Sequence, residues 1–359
     1  MRDREADAAR IPRALLGWYR RAGRDLPWRR TRDPYAIWVS EVMLQQTRVG
    51  FVRDRYTAFL ERFPTVEALA RAELERVLKA WEGMGYYGRA RNLHRAAGAA
   101  LASHGTLPRA HADWLALPGV GRYTAAAVCA IAYGERHLPL DGNIRRVLAR
   151  LFDLAAAGEK AVAERGRPLL DGLRRPQVGR LVQAMMDLGA LVCTPRSPAC
   201  ERCPLDDACL ARRRGTIALR PERRPRGAVP HVEVAVAWLL NRRNEVLLTL
   251  RKPEGLLGGL WELPGGKLLP GERPATALRR ELREELGLRG LGVLRPRGSV
   301  RHAYSHFTVT LHVFEARTSR EPGRLAGPVA ARWVPPDRVR DFPLPRATQK
   351  VLDLLEGGA

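Results

Sequence analysis

The sequence has little lysine, few cysteines and no long apolar run. Only five of its 359 residues are lysine, although Lys and Arg together number 62 against 38 Asp and Glu, so the positive charge is almost all arginine. No apolar stretch reaches the roughly 20 residues that a membrane-spanning helix needs. This absence predicts a soluble intracellular protein without a membrane partner. The length predicts two domains, each with its own core.

The chain is strongly basic, with a formal net charge of +24 and a pI near 11.1. A charge of this size predicts a polyanionic partner, most simply nucleic acid. Charge alone leaves DNA, RNA and acidic membranes open, and the motifs have to decide between them.

Four of the five cysteines are clustered with the spacing C-x6-C-x2-C-x5-C, at Cys193, Cys200, Cys203 and Cys209. Four thiolates are the ligand set of a [4Fe–4S] cluster, and no histidine lies within the run. A structural zinc site remains an alternative, because four cysteines can also bind zinc. In either case the site is expected to be structural and to fasten the end of a helical domain.

The chain changes character after about residue 212. From Pro12 to there the pattern is helical, and segments such as Val66–Trp81 and Ala90–Ser103 carry apolar residues at three- and four-residue spacing. The Arg- and Pro-rich stretch 212–230 lacks periodicity and is typical of a linker.

The remainder predicts a smaller α+β domain. Glu233–Leu240 and Glu245–Arg251 are expected to be paired strands around a turn, His306–Ala316 alternates like a further strand, and Pro274–Leu286 is the expected helix. The predicted organisation is an all-α DNA-processing domain at 1–211, a linker at 212–230 and an α+β domain at 231–359.

The segment LALPGVGRYTAAAV, residues 115–128, predicts helix, tight turn, helix. Gly119 and Gly121 allow a narrow hairpin around Val120, and the unpaired amides at the start of the second helix can bind phosphate regardless of base sequence. A lone P-G-x-G is a weak signal, but Asp141 follows about twenty residues later in LPLDGNIRRV.

Hairpin, aspartate and cysteines together resemble the helix–hairpin–helix DNA glycosylases. Within that superfamily WVSEVMLQQT, residues 38–47, resembles the adenine DNA glycosylases, and LPWR (26–29), GYYGRARNLH (85–94) and MMDLGALVC (185–193) agree. The resemblance extends over nearly the whole first domain.

Two carboxylates fit the chemistry of removing a base. Breaking an N-glycosidic bond needs a proton for the departing base and support for a cationic sugar. Glu41 lies in an apolar helix, where desolvation raises the pKa of a carboxyl. The resemblance implies that Glu41 protonates adenine N7 and later helps to activate water, that Asp141 stabilises the sugar, and that Asn143 orients the aspartate or the water.

Tyr123 separates two classes within the resembled superfamily. Members that also cut the strand carry a lysine at this position, which forms a Schiff base with the sugar. Here the residue is tyrosine, and no lysine lies between Lys79 and Lys160. We therefore expect a monofunctional glycosylase in which Tyr123 hydrogen-bonds near the reacting sugar.

The resemblance also implies how the flipped base is held. Unstacking a base costs a few kcal/mol, which inserted side chains partly offset. Gln46 and Tyr86 match positions that wedge into the duplex. The matches to the adenine pocket are Arg24, Leu26, Trp28, Arg29 and Gln183, although Leu26 and Trp28 are equally typical of core packing.

From Gly266 the chain matches the Nudix box, G-x5-E-x7-R-E-U-x-E-E-x-G-U, at every position. Glu281, Glu284 and Glu285 fall on one helical face, where a carboxylate cluster can bind Mg²⁺ and clamp a diphosphate. Adenine glycosylases usually end in a Nudix-like domain whose box is eroded. The intact box leaves two alternatives, a helix scaffold or retained metal-dependent hydrolysis.

The same domain is expected to recognise 8-oxoguanine through Tyr304, Ser305 and His306. The resembled family has Phe-Ser-His here, and its serine contacts the damaged base. Tyrosine keeps an aromatic ring that can stack.

The sequence thus predicts a cytoplasmic, bacterial-type, monomeric base-excision repair enzyme that acts on nucleoid DNA and removes adenine opposite 8-oxoguanine or guanine. Three alternatives remain open at this point. They are a glycosylase–lyase for oxidised pyrimidines, a nucleotide hydrolase tethered to a DNA-binding module, and a lesion sensor without turnover.

Overall fold

The computed structural model describes residues 2–155, 158–222 and 229–357. They form two units, one made of Met1–Arg71 with Asn92–Pro225 and the other of Ala72–Arg91 with Arg226–Ala359. Residues 223–228 of the predicted linker lie outside the described part. None of the described helices is long and apolar enough to cross a membrane.

The first unit is helical, as the sequence predicts. The helices that precede the sheet are α1 (Arg2–Ala22), α2 (Pro34–Leu44), α3 (Val49–Arg62), α4 (Val66–Arg71), α5 (Leu74–Ala80), α6 (Gly88–His104), α7 (His111–Ala116), α8 (Arg122–Val128), α9 (Gly142–Leu151), α10 (Glu159–Gly166), α11 (Arg175–Leu191) and α12 (Leu210–Arg213). Helix α5 and the start of α6 belong to the second unit. One π-helical turn, Cys129–Tyr133, continues α8.

Most predicted helices are confirmed, with one break. Ala90–Ser103 lies within α6, whereas Val66–Trp81 is two helices, α4 and α5. Glu73 takes an extended backbone, with φ −62° and ψ 135°, and the helix restarts after it. Periodicity alone does not show this break, because apolar spacing continues through both helices.

The core of the first unit lies between α1, α9 and α11. Ile11 and Leu15 of α1 pack with Ile144 of α9 and with Leu181 and Met185 of α11, all of them buried. Asp141, directly before α9, is thereby set at one end of a helix that the core holds rigidly.

The second unit contains a mixed seven-stranded sheet. Its strands are β1 (His231–Leu240), β2 (Val246–Leu250), β3 (Trp261–Glu262), β4 (Gly265–Lys267), β5 (Arg295–Ala303), β6 (Thr308–Arg317) and β7 (Ala330–Val334). The order is β3-β2-β1-β6-β5, with β4 also paired to β1 and β7 to β2. Strands β1 and β6 run parallel from His231↔Thr308 to Leu240↔Arg317.

Two helices cover the sheet, α13 (Pro274–Leu286) on one face and α14 (Arg346–Gly357) on the other. The predicted bounds of α13 are confirmed. Proline occupies its first position and Gly287 ends it in the left-handed conformation, with φ +67°. The strand predicted at His306–Ala316 is β6, and the turn between β1 and β2 is confirmed.

Candidate active site

Glu41 lies on α2, which is buried along almost its whole length. Asp33 caps this helix by accepting hydrogen bonds from the amides of Tyr35 and Ala36, each at 3.1 Å. The side chain of Glu41 is only 4% exposed, and its Oε2 accepts a hydrogen bond from the Tyr123 hydroxyl at 2.5 Å. Burial raises the pKa of Glu41 to about 7, with a smaller upward effect from Asp141. A carboxyl that retains its proton near neutral pH can act as a general acid.

Tyr123 on α8 approaches Glu41 because the turn before α8 is tight. Gly119 has φ +73°, and a Cβ there would lie 2.5 Å from the side chain of Asn92. Gly121, the residue before α8, is exposed, whereas the side chain of Val120 is buried. Burial raises the pKa of Tyr123, which therefore stays a neutral phenol.

Asp141 is the N-cap of α9. One oxygen accepts from the Ile144 amide at 2.6 Å and the other from the Asn143 side-chain amide at 3.1 Å. Burial raises the pKa of Asp141, and these two donors oppose the rise. The carboxylate is thus fixed in position with its charge partly satisfied, next to Glu41.

A hydrogen-bonded path runs from Asp141 along α9 to the first cysteine. Arg146 donates to Asn143 Oδ1 at 2.9 Å and, with Nε, to the carbonyl of Cys193 at 2.7 Å. It also donates to the Gly189 carbonyl at 2.6 Å. A Cβ at Gly189 would lie 2.6 Å from Asn143, so glycine is required for this approach of α11 to α9.

A cavity of about 660 Å³ brings most of the predicted site residues of the first unit together. Its walls include the following residues: Arg24, Leu26, Trp28, Arg29, Glu41, Gln46, Gly119, Gly121, Tyr123, Asp141, Asn143 and Gln183. Gln46 has φ +58°, an uncommon backbone conformation for a residue with a side chain and one that is enriched at functional sites. Leu26 and Trp28 are buried as well as lining the cavity, so they also belong to the packing of the unit.

Asp187 is not among the residues predicted from the sequence, although it binds two arginines that line the cavity. It is fully buried on α11 and accepts from Arg24 Nε at 2.7 Å and from Arg29 Nη2 at 2.7 Å. Burial alone would raise the pKa of Asp187, but the hydrogen bonds from Arg29 and Arg24 lower it overall. An aspartate within the apolar run MMDLGALV is the sequence signal that could have identified it.

Two of the four clustered cysteines, Cys193 and Cys209, are hydrogen-bonded through sulfur to Arg150 near the end of α9. Cys193 follows α11, Cys200 and Cys203 flank a 3-10 turn, and Cys209 precedes α12. Burial, helped by the three other cysteines of the run, raises the pKa of Cys203 to about 12. Arg150, buried on α9, donates to Cys193 Sγ at 3.3 Å.

This donor set fits an iron–sulfur cluster. Positive charge and N–H donors beside a thiol favour the thiolate that iron requires.

The predicted lesion-reading residues lie in the second unit. Tyr304 stacks on Phe307 with ring centres 4.7 Å apart, between β5 and β6. The Ser305 hydroxyl is hydrogen-bonded to the hydroxyl of Tyr86. The rings of His306 and Tyr86 are nearly perpendicular, with their centres 6.4 Å apart. Tyr86 and Ser305, far apart in sequence, therefore share one surface of this unit.

Gly266 of the Nudix box lies on β4 and the three predicted magnesium ligands lie on α13, with arginine among the carboxylates. A Cβ at Gly266 would lie 2.2 Å from the carboxyl carbon of Glu281, so only glycine fits there. Arg280 pairs with Glu272 at 2.8 Å, Glu281 at 2.9 Å and Glu284 at 3.3 Å. Magnesium binding by Glu281, Glu284 and Glu285 stays a prediction.

Three family models match the chain. Residues 39–170 match the HhH-GPD superfamily base excision DNA repair proteins, 193–212 the iron–sulfur binding domain of endonuclease III, and 235–354 the NUDIX domain. A human adenine DNA glycosylase is 33% identical over 96% of this chain and 73% of its own length, and the mouse protein is 34% identical over 98% and 79%.

The chain belongs to the adenine DNA glycosylase family. It is a DNA N-glycosylase of base excision repair that acts on DNA and holds an iron–sulfur cluster. Among solved structures, a thermostable thymine-DNA glycosylase is similar over 58% of this chain and 98% of its own, with 29% identity and a TM-score of 0.53. The two-domain fold expected from the sequence, a helix–hairpin–helix domain followed by a Nudix-like one, is confirmed.

Proposed function

We propose that this glycosylase removes adenine opposite 8-oxoguanine, or opposite guanine, from duplex DNA without cutting the strand. The carrying observation is that two carboxyl groups with different surroundings share one cavity. Glu41 is buried with a pKa near 7, whereas Asp141 is held by two donors at the start of α9. Such a pair separates the role of acid from that of charge stabiliser.

In this proposal, Glu41 gives its proton to adenine N7 as the C1′–N9 bond breaks. The electron pair of that bond passes to the base, which leaves as neutral adenine, and Asp141 faces the positive charge that develops on the sugar. Water then adds to C1′ and gives its proton to the Glu41 carboxylate, which restores the acid. Asn143 keeps Asp141 oriented, and Tyr123 keeps Glu41 oriented.

The absence of strand cleavage rests on Tyr123. A Schiff base needs an amine at the sugar, and this position supplies a phenol that burial keeps neutral. No lysine lies between Lys79 and Lys160.

The four clustered cysteines are proposed to hold a [4Fe–4S] cluster. When bound, it supplies a fixed anchor for the loop around α9 and no chemistry at the sugar. Arg146 and Arg150 join this loop to α9, and Arg146 reaches Asn143, so the loop supports the position of Asp141.

Recognition of the opposite base is proposed for Tyr86 and for Tyr304, Ser305 and His306. What supports this is that the Ser305 hydroxyl and the Tyr86 ring occupy one surface, a hydroxyl for hydrogen bonding beside an aromatic ring for stacking.

The test is product analysis on four duplexes, with 8-oxoguanine:A, G:A, T:A or 8-oxoguanine:C pairs. We expect free adenine from the first two only, and strand breaks only after alkali. Breaks without alkali, or equal adenine release from T:A, would contradict the proposal.

A second candidate activity is metal-dependent hydrolysis of a nucleoside diphosphate derivative at the Nudix box. It is favoured by the crowding of carboxylates, because burial and then Glu281 and Glu284 raise the pKa of Glu285, and a divalent cation relieves such repulsion. Mg²⁺-dependent formation of the nucleoside monophosphate that persists in Glu41→Gln and is lost in Glu285→Gln would establish it. Monomeric state and cytoplasmic location stay predictions of the sequence.

A further inference from the structure

Tyr86 lies in a short segment that folds with the distant C-terminal chain. Residues 72–91 belong to the second unit, although the chain directly before and directly after them belongs to the first. After α5 the chain makes a tight turn, in which Trp81 Nε1 donates to the Gly85 carbonyl at 3.2 Å. Tyr86 itself has φ +48°, in the left-handed region, which a non-glycine residue adopts only at an energetic cost. The surroundings must therefore hold this turn in place.

The first anchor of the turn is an ion pair with backbone partners. Lys79 donates to the Arg340 carbonyl at 2.5 Å and to Glu82 Oε2 at 2.7 Å. The other oxygen of Glu82 accepts from the Leu344 amide at 3.3 Å. Through these hydrogen bonds, Lys79 and Glu82 together join residues 79–82 to the segment 340–344.

The second anchor is the hydroxyl of Tyr87. It accepts from the Gly83 amide at 3.3 Å and donates to the Leu344 carbonyl at 3.3 Å. The side chain is buried, and burial raises the pKa of Tyr87, so the hydroxyl retains the proton that it donates. A single oxygen thus joins the turn to the same C-terminal segment.

The result of both anchors is visible at Tyr86. Its hydroxyl is hydrogen-bonded to the hydroxyl of Ser305, and the guanidinium of Arg89 lies 5.5 Å from its ring centre. Arg89 also donates to the carbonyls of Met84 and Gly85, each at 3.1 Å. The turn, its cation and the Ser305 loop form one continuous surface.

We propose that Lys79, Glu82 and Tyr87 are positioning residues that tie the turn to the segment around Leu344 and so set Tyr86 against Ser305 for reading the base opposite adenine. This inference rests on the proposed roles of Tyr86 and Ser305. None of the three side chains is proposed to contact DNA. They act through the backbone that carries Tyr86.

The test uses the full-length, cluster-loaded enzyme and measures the preference for 8-oxoguanine:A over G:A in single-turnover reactions. Tyr87→Phe and Lys79→Met should each lower this preference about fivefold, the equivalent of one hydrogen bond. Lys79→Arg should restore most of it. In a Tyr86→Ala background neither substitution should lower the preference further, because the group that they position is gone.

Two controls remove the same chemistry elsewhere. Tyr35→Phe deletes a buried hydroxyl that donates to the Phe63 carbonyl at 2.8 Å, and Lys350→Met deletes an ammonium that donates to the Arg301 carbonyl at 3.2 Å. Both should leave the preference unchanged, and Lys350→Met matches the loss of charge in Lys79→Met.

Three results would overturn the inference, and they differ from one another. Preferences in Tyr87→Phe and Lys79→Met equal to those of the controls would show that the anchors do not position Tyr86. An equal further loss in the Tyr86→Ala background would show a merely structural role. Unchanged preference in both Tyr86→Ala and Ser305→Ala would remove the proposed reading surface itself, and the inference with it.

Discussion

The Tyr123 hydroxyl donates a 2.5 Å hydrogen bond to Oε2 of Glu41, whose side chain is buried, whereas Tyr123 is partly exposed. The phenol offers one proton to a carboxyl whose pKa burial has raised to about 7. This contact holds the acid at a defined place while leaving its other oxygen available to the cavity. It also sets the balance between the charged and neutral forms of Glu41.

The contact predicts how the pH profile responds to Tyr123→Phe. A hydrogen bond donated to the carboxylate favours its charged form and so lowers the pKa of Glu41. Removing it should move the alkaline limb of the adenine-release rate upward by about one pH unit, the equivalent of one hydrogen bond. Tyr133→Phe, which deletes a hydroxyl bonded to the Pro108 carbonyl, should leave the limb in place. A downward shift would contradict the assignment.

The raised pKa of Glu41 also predicts a pH-dependent stability. Because the folded protein binds this proton more tightly than the unfolded chain, the stability that the proton contributes is fully present below pH 4.5, the usual pKa of a glutamate, and is lost as the pH rises through about 7. The loss is of the order of 3 kcal/mol. Glu41→Gln should therefore raise Tm relative to the parent more at pH 8 than at pH 5. Glu61→Gln, an exposed change on α3, should show no such trend.

Asp187 should prove as important to the pocket as the residues identified from sequence. Asp187→Asn leaves Arg24 and Arg29 without their buried counter-charge, which should cost about 3–5 kcal/mol of stability. The substitution should also move the alkaline limb of the rate–pH profile to lower pH, because an Arg29 without its counter-charge favours the ionised form of Glu41. Denaturant unfolding and a rate–pH profile would measure the two effects. Asp25→Asn, which breaks an exposed pair with Arg30, is the control and should change neither.

The path from Asp141 to the cysteine loop predicts a slow variant. Arg146→Met removes the donors to Asn143 and to the Cys193 carbonyl, so Asp141 loses part of its support. We expect single-turnover adenine release to fall about tenfold or more, as expected for a slightly misplaced catalytic group. Visible absorbance of the cluster, measured alongside, separates lost positioning from lost iron. Arg13→Met, an exposed change on α1, should be neutral.

Much of the fold could be predicted from local sequence signals, whereas the rest depends on packing between residues far apart in the chain. Pro274 at a first position and the left-handed Gly287 define α13 from the sequence alone. The folding of residues 72–91 with the C-terminal chain depends on contacts such as Tyr87 with Leu344, across some 250 positions, which no local pattern contains. Asp187 was overlooked for the same reason, since its arginine partners lie more than 150 residues away.

The candidate site likewise combines features that are local in the sequence with contacts between distant residues. Glu41 could be predicted as a perturbed acid because its own helix is apolar, a local property. The hydrogen bond from Tyr123 and the route from Asn143 through Arg146 arise where α2, α8, α9 and α11 meet, and no local sequence pattern contains them.

The most direct test of the central claim is single-turnover cleavage of an 8-oxoguanine:A duplex by the parent, Glu41→Gln and Glu61→Gln, read with and without alkali. Glu41→Gln should lower adenine release by about 10²-fold or more, with the parent and Glu61→Gln giving strand breaks only after alkali. Undiminished release by Glu41→Gln would contradict its role as the general acid.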